Sequence, residues 1–378
     1  MKKIFIVYGE ESAHLIALNL IKQLQQIDRK IIIKGAGSSD LESENVEVIL
    51  DLVRFSCVGI FEVLKNLNFF IKAFKKIVDF LKEFNPDCVI LIDYPEFNLK
   101  LAKSIKRILN TKIIYYVPPQ IWAWRKKRIK IIKKFVDLVL VIFKFEEEFY
   151  KKEGIKAEFV GYPRLEFIQP ECDIDELKEI YRLKDKKPLI GIMPGSRKVE
   201  INYNLPNMLK TLKLLKKDFP TAGFILIKAE NLDSKIFNRF INKFKDLKIE
   251  IIEREKYAAI RSCDFLIVCS GTATLETAIL ERPFVIWYRL NPLTYFILKK
   301  LVKIPFIGMP NILLREKVIP EFIQSETKPE NVYRKVKEFL TNPNSIDSLL
   351  RKLSELKGIL GDLKASQKAA QIILEEIS

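Results

Sequence analysis

Two Rossmann-like, doubly wound α/β domains facing across a cleft, with a helical C-terminal tail, are what this sequence predicts. Three observations carry that reading. Short, uniformly apolar runs of about five residues alternate with amphipathic helical stretches, the pattern of parallel strands covered on both faces. Seven such runs precede a polar, proline-marked break at 169–187 and five come after it, so the strands fall into two groups. At 378 residues, the chain also exceeds what one hydrophobic core ordinarily supports.

The first group of runs is 4–8, 30–34, 46–50, 88–92, 113–117, 138–142 and 157–160. Ile, Val, Leu and Tyr dominate them, and these side chains fit a pleated surface. Between them, 11–26, 60–84, 99–109 and 145–152 repeat apolar residues at helical spacing. The second group is 189–193, 223–228, 248–252, 265–269 and 284–288. From 329 to 378 there is no strand signal, and helices are expected. The expected domains are 1–168, 169–340 and a helical segment 341–378, whose packing back on the first domain is left open. No short-period repeat or low-complexity tract is present.

A composition 48% hydrophobic and 30% charged is globular rather than disordered. The formal net charge of +17 predicts attraction to an anionic partner: phospholipid, nucleic acid or a phosphorylated substrate. No nucleic-acid-reading motif accompanies the basic residues, so nucleic acid is not expected. Five scattered cysteines without a CxxC fit a reducing cytoplasm. A single histidine, His14, leaves no zinc site of His/Cys type, and no metal or other cofactor is expected. His14 itself reads as structural or solvated rather than catalytic. The N-terminal apolar run is too short for a signal peptide, and no uncharged apolar stretch is long enough to span a bilayer.

In doubly wound sheets, ligands bind beyond the carboxyl ends of the strands. Five unusual loops fall there: GEESAH (9–14), IDYPEFN (92–98), VPPQIWAWR (117–125), MPGSR (193–197) and SGTATLE (270–276). The first lacks GxGxxG, so dinucleotide binding is not expected. In MPGSR, Gly195 permits close approach of a ligand, Ser196 can cap a helix and Arg197 offers a fork of donors to phosphate. In SGTATLE, Ser270, Gly271 and Thr272 place free amides at a helix start, and Glu276 can accept from ribose hydroxyls. The bland alternative at both is an ordinary helix cap with a surface charge. Asp93 stands where an active-site carboxylate belongs, with Glu96 close behind; a turn aspartate before Pro95 is the alternative. A carboxylate pair also serves glycoside hydrolases, so it does not fix the reaction.

In VPPQIWAWR, Trp122 and Trp124 stand behind Pro118 and Pro119, and seven basic residues stand between Arg125 and Lys134. This is either a surface for an anionic amphiphile or a rigid turn with one buried indole. The Phe/Lys stretches 55–84 and 292–306 are either membrane-surface helices or helices packed on a sheet.

VGIFEVL (58–64), IDYPEFN, YVPPQIWAWR (116–125), DLVLVIFKFEEEFY (137–150), FVGYP (159–163), PGSR, SGTATLE and MPNILL (309–314) occur in this order along nearly the whole chain. Together they resemble the lipid-A-disaccharide synthase family, inverting B-type glycosyltransferases of lipid A biosynthesis. The combination of WAWR, PGSR and PNILL is specific to it. The resemblance implies transfer from UDP-2,3-diacylglucosamine to 2,3-diacylglucosamine 1-phosphate (lipid X), giving a β-1,6 disaccharide 1-phosphate and UDP without a metal. It implies peripheral attachment at the cytoplasmic face of the inner membrane, on an anionic surface. It also implies that Asp93 is the essential aspartate and that Arg197 and Asn311 are functional. GEESAH stands where the family usually has GExSGD, Glu96 replaces an aspartate, and Tyr162 replaces the histidine of GHP.

The expected site is therefore Asp93 as catalytic base; Ser196, Arg197, Ser270, Gly271, Thr272 and Glu276 at the diphosphate and nucleotide; and Glu10, Ser12, Asn98, Trp122, Arg125 and Asn311 at the substrates. Arg125 and Arg128 are the nearest cations for the acceptor's 1-phosphate. The alternatives are another B-type UDP-sugar enzyme, such as the muramyl N-acetylglucosaminyltransferase or UDP-N-acetylglucosamine 2-epimerase, and an inactive lipid-binding paralogue. A homodimer is left open.

Overall fold

The computed structural model describes residues 1–55, 67–123, 126–229, 232–301 and 304–378. Cys57, Phe61, Trp124, Arg125 and the 58–64 motif lie outside them. The chain divides into two compact units, Met1–Glu166 with Leu360–Ser378, and Phe167–Ile359.

In the first unit, β1 (Lys3–Val7), β2 (Ile32–Gly37), β3 (Glu47–Asp51), β4 (Cys88–Ile92), β5 (Lys112–Tyr116), β6 (Leu138–Val141) and β7 (Ala157–Phe159) form one parallel sheet in the order β3-β2-β1-β4-β5-β6-β7. The helices are α1 (Glu11–Ile27), α2 (Leu67–Phe84), α3 (Pro95–Ile108), α4 (Ile129–Phe135) and α5 (Lys144–Lys152). Every side chain of β4 is buried, as a strand covered on both faces requires. The strand order reverses between β1 and β4, which opens a crevice at their carboxyl ends. Strand β2 runs past the predicted 30–34 because Gly35, Ala36 and Gly37 carry little strand propensity, yet Gly35 and Ala36 still pair with Ile6 and Val7 of β1.

Helix α2 decides part of the Phe/Lys question. Phe74, Phe80 and Phe84 pack into the core, with Phe80 meeting Phe5 of β1 at 5.7 Å and Phe74 meeting Phe97 of α3 at 5.7 Å between centroids. Phe69 and Phe70 are half-buried against the same core. Outward stand Lys72, Lys75, Lys76 and Ile71, the last 59% exposed. The described phenylalanines of this stretch therefore face the core, because the helix must cover the sheet with its apolar side.

The second unit holds β8 (Leu189–Met193), β9 (Gly223–Ile227), β10 (Glu250–Ile252), β11 (Phe265–Cys269), β12 (Phe284–Tyr288) and β13 (Glu321–Ile323), parallel in the order β10-β9-β8-β11-β12-β13. Strand β13 is too short, and too polar at Glu321, to announce itself in the sequence. Its helices are α6 (Ile174–Ile180), α7 (Lys198–Asp218), α8 (Lys235–Ile241), α9 (Lys256–Ser262), α10 (Thr272–Ile279), α11 (Pro292–Leu301), α12 (Met309–Leu314), α13 (Pro329–Thr341) and α14 (Pro343–Leu360). The last helix, α15 (Ala365–Glu376), belongs to the first unit, where Ser366 donates N–H and O–H to Glu166 at 2.7 and 2.6 Å. The segment 341–378 is thus helical but shared between the units. Among the described residues, no helix is long and apolar enough to cross a membrane.

Candidate active site

The carboxyl ends of β4 and β5 in the first unit carry three non-glycine residues in the left-handed region: Asp93 (φ 48°), Tyr94 (φ 49°) and the β-branched Val117 (φ 55°). Such backbone costs about 1–3 kcal/mol per residue and persists only where neighbours hold it. At Asp93 the neighbours are explicit. Its carbonyl accepts from Tyr115 Oη at 2.7 Å and from Asn98 Nδ2 at 2.8 Å, and Asn98 also donates to the carbonyl of Ile92 at 3.2 Å. Asp93 Oδ1 accepts from the N–H of Tyr94 at 2.9 Å. Tyr94 stacks on Phe97 and lies so close over Gly9 that a Cβ there would meet its ring at 2.5 Å. The loops after β1 and β4 are thereby pressed together, and only glycine fits at position 9.

Burial pushes the Asp93 carboxyl up to about 7, and the charge of Glu10 adds to the rise; the Tyr94 N–H and Arg164 oppose it. Glu10, at the N-cap of α1, and Ser12, in its first turn, are exposed. Asn98 is fully buried, so it shapes the Asp93 loop from behind rather than facing solvent. Arg128 pairs with Glu96. His14 is buried and lies 2.8 Å from Tyr8 Oη, which also accepts from the N–H of Ser38, so the histidine ties α1 to the turn after β2.

Trp122 is half-buried. Its indole N–H donates to Glu146 Oε1 at 2.9 Å, and Phe145 meets its ring edge-on at 4.9 Å. Glu146 was not legible as a functional residue. The available signal was an acid set between Phe143 and Phe145 on one side and Phe149 on the other, at the start of α5, where an apolar side chain is the ordinary expectation. Desolvation pushes its carboxyl up to about 7, opposed by the Trp122 indole and the N–H groups of Phe143 and Ile142.

In the second unit, Gly195 takes φ 123° and Glu200 folds back over the loop. Glu200 Oε2 accepts from the N–H groups of Ser196 (3.0 Å) and Arg197 (3.3 Å). A carboxylate from the first turn of α7 thus occupies the amides of this loop. The Arg197 side chain is exposed, its Nη1 3.7 Å from Glu200 Oε1. In the other loop, the N–H of Ser270 donates to the carbonyl of Trp287 at 2.8 Å, and Gly271 and Thr272 are both exposed at the start of α10. Glu276 is buried instead, with Lys256 Nζ 2.5 Å from Oε2 and Tyr257 Oη donating to Oε1 at 3.4 Å.

Asn311 is also fully buried, and its amide is engaged inside the fold. Nδ2 donates to the carbonyl of Ile319 (2.8 Å) and to Glu321 Oε1 (2.9 Å), while Oδ1 accepts from the N–H of Ile319 (2.9 Å). Glu321 in turn accepts from the N–H groups of Ile307 and Gly308, fixing the start of α12. Asn204, which sequence reasoning missed, does similar work. It donates to the carbonyl of Pro194 (3.2 Å) and to Cys269 Sγ (3.3 Å) and accepts from Trp287 Nε1 (3.0 Å), so one buried amide ties the ends of β8, β11 and β12.

The sequence model of the family described as lipid-A-disaccharide synthetase matches residues 4–376. The chain is 36% identical over 376 residues to lipid-A-disaccharide synthase 1 of Legionella pneumophila strain Lens, covering 99% of this chain and 97% of the relative. It is 35% identical over 372 residues to the Coxiella burnetii lipid-A-disaccharide synthase, covering 98% of each. The chain belongs to the lipid-A-disaccharide synthase family. Members of the family are glycosyltransferases of lipid A biosynthesis, so the chain is an enzyme of that class. Among solved structures, a Staphylococcus aureus MnaA–UDP co-structure is similar at TM-score 0.69 and 16% identity, covering 100% of this chain and 97% of that one. A UDP-GlcNAc 2-epimerase from Neisseria meningitidis bound to UDP-GlcNAc is similar at TM-score 0.67 and 14% identity, covering 99% and 100%. At these identities the likeness concerns the fold, two parallel-sheet α/β units of the B type with a helical C-terminal segment.

Proposed function

We propose that the enzyme transfers diacylglucosamine from UDP-2,3-diacylglucosamine to the 6-hydroxyl of 2,3-diacylglucosamine 1-phosphate, with inversion. The observation that carries this reading is Asp93, a carboxylate held in a strained backbone at the switch point of the first sheet, within the field of Glu10. The acceptor's 6-oxygen attacks the anomeric carbon, the bond from that carbon to the β-phosphate oxygen breaks, and UDP departs with the electron pair. Asp93 takes the hydroxyl proton. A carboxyl raised to about 7 is a stronger base than an ordinary one and is still ionised in a useful fraction at neutral pH.

Arg197, Ser196 and the start of α10 at Ser270, Gly271 and Thr272 receive the diphosphate, Glu200 yielding its place at the loop amides to the phosphate. Glu10, Ser12, Trp122 and Arg125 contact the acceptor, whereas Asn98 and Asn311 act by holding backbone. Glu276 reaches the nucleotide only by exchanging its Lys256 partner for it. The test is UDP release by the purified protein with each substrate alone and with both. Release that requires both supports transfer; release from the donor alone, at the same rate, contradicts it.

Full activity in excess EDTA is expected. Among the described residues, no group of three or more His, Cys, Asp or Glu side chains lies close enough to hold a metal ion, and Arg197 with helix-terminal amides supplies positive potential. Loss on chelation that Mg²⁺ or Mn²⁺ restores contradicts this.

The enzyme works at the anionic cytoplasmic face of the inner membrane. Ile71 among Lys72, Lys75 and Lys76 on α2, and Phe296 on α11 at 57% exposed, are apolar points that can enter lipid. Ile71→Ser with Phe296→Ser should weaken binding to vesicles containing phosphatidylglycerol without unfolding the protein, and salt should weaken wild-type binding. Unchanged vesicle binding by the double variant would remove both residues from the membrane contact.

A further inference from the structure

The VPPQIW segment leaves β5 through Val117, a β-branched residue held at φ 55°. Pro118 and Pro119 have no N–H with which to anchor the segment to its surroundings. Helix α5 supplies the anchors. Tyr150 Oη donates to the carbonyl of Pro119 at 3.3 Å, and one turn earlier Glu146 Oε1 accepts from Trp122 Nε1 at 2.9 Å. Both anchoring side chains are buried. Residues 146 and 150 share one helix face by spacing, so the two anchors act in line along the segment. Glu146 Oε2 is itself buried with no hydrogen-bond partner. The nearby N–H groups of Phe143 and Ile142 only partly offset the desolvation of this carboxylate, and an aliphatic side chain would pack there without that penalty. What the carboxylate adds is a strong acceptor for the indole.

We propose that Glu146, backed by Tyr150, is a positioning residue that clamps Trp122 in the orientation in which the indole meets the acceptor. This rests on the assignment of the acceptor to the first unit. The clamp's strength is set by the charge of Glu146, whose carboxyl titrates at about 7, so the indole bond becomes charge-assisted as pH rises through that value. The titratable groups around it are Tyr150, whose phenol senses the Glu146 charge, and Tyr162, stacked on Phe143. Lys144, Glu147 and Lys151 on the same helix pair with one another.

Two variants separate the clamp from packing. Glu146→Gln keeps an acceptor for the indole and loses the charge; Glu146→Leu keeps the bulk and loses the acceptor. With saturating UDP-diacylglucosamine and varied diacylglucosamine 1-phosphate, Glu146→Leu should raise the acceptor KM on the order of 10-fold and leave the donor KM unchanged. Glu146→Gln, a neutral and weaker acceptor, should recover part of that loss. Trp122→Phe should match Glu146→Leu, and the double variant should be no worse than either. A readout independent of turnover is the ¹⁵N–¹H signal of the Trp122 indole, identified by its disappearance in Trp122→Phe. In wild type it should move with pH around a midpoint of about 7, and in Glu146→Gln it should not.

An unchanged acceptor KM in folded Glu146→Leu, an equal rise in donor KM, or an indole signal insensitive to both pH and Glu146→Gln would each overturn the proposal. If Glu146→Leu fails to fold, Glu146→Gln and the indole signal still decide it. Absence of transfer by the wild-type enzyme would overturn the functional reading and the acceptor role together, whereas the indole signal tests the clamp by itself.

Discussion

Asp93→Asn is expected to cut turnover by a factor on the order of 10²–10⁴ while UDP affinity stays unchanged. The amide keeps the size of the carboxyl and can still accept from the Tyr94 N–H, so the loop keeps its shape. It cannot take the proton of the attacking hydroxyl. With UDP assigned, as proposed, to Arg197 and the loops of the second unit, its binding should make no demand on Asp93. The wild-type rate should rise with pH through about 7 as Asp93 ionises, and the variant should lose that limb. Stability carries the opposite signature. Because the folded pKa lies above the ordinary 3.8, the native state binds the proton more tightly than the unfolded chain. The stability from this group is full at low pH and is lost as pH rises from near 4 through about 7. Asp93→Asn should therefore raise Tm more at pH 8 than at pH 5. A variant with near-normal turnover removes Asp93 from the chemistry.

Arg197→Ala is expected to weaken UDP binding and turnover together, each by about 10–100-fold, the range of a hydrogen bond to a charged group. The side chain is exposed and its approach to Glu200, 3.7 Å, is longer than a strong ion-pair bond, so little native stability depends on it. Titration calorimetry with UDP, paired with a melting curve, checks both halves. Unchanged affinity in a normally folded variant would move the diphosphate away from the PGSR loop. A lowered Tm would instead make Arg197 part of the cap on α7.

Much of the fold was legible because apolar strands buried on both faces leave an unmistakable pattern, as at CVILI of β4. What escaped had a physical cause in each case. The far end of β2 is glycine-rich and carries no strand signal. Strand β13 is three residues long and begins with a buried glutamate whose partners, Asn311 and the Ile307 and Gly308 amides, are invisible until the chain folds. The site divided along the same line. Residue type and loop position pointed to Asp93, Arg197 and Trp122. Burial separated the groups that face solvent from those that act from behind: Asn98 and Asn311 read as ligand contacts, but their amides hold the backbone of the Asp93 loop and the start of α12. Glu146 and Asn204 were missed because a single polar residue in a helix carries no periodicity, and its importance depends on which strand ends and loops it reaches.

An inverting transfer onto the 6-hydroxyl is the central claim, and the linkage of the product tests it most directly. The product formed from UDP-2,3-diacylglucosamine and 2,3-diacylglucosamine 1-phosphate should be a single disaccharide 1-phosphate. Its ¹H–¹³C NMR spectrum should show a carbon 6 shifted by glycosylation on the reducing sugar and a large trans-diaxial coupling at the new anomeric proton. An α-configured linkage, attachment at another hydroxyl, or free diacylglucosamine as the main product would contradict the account.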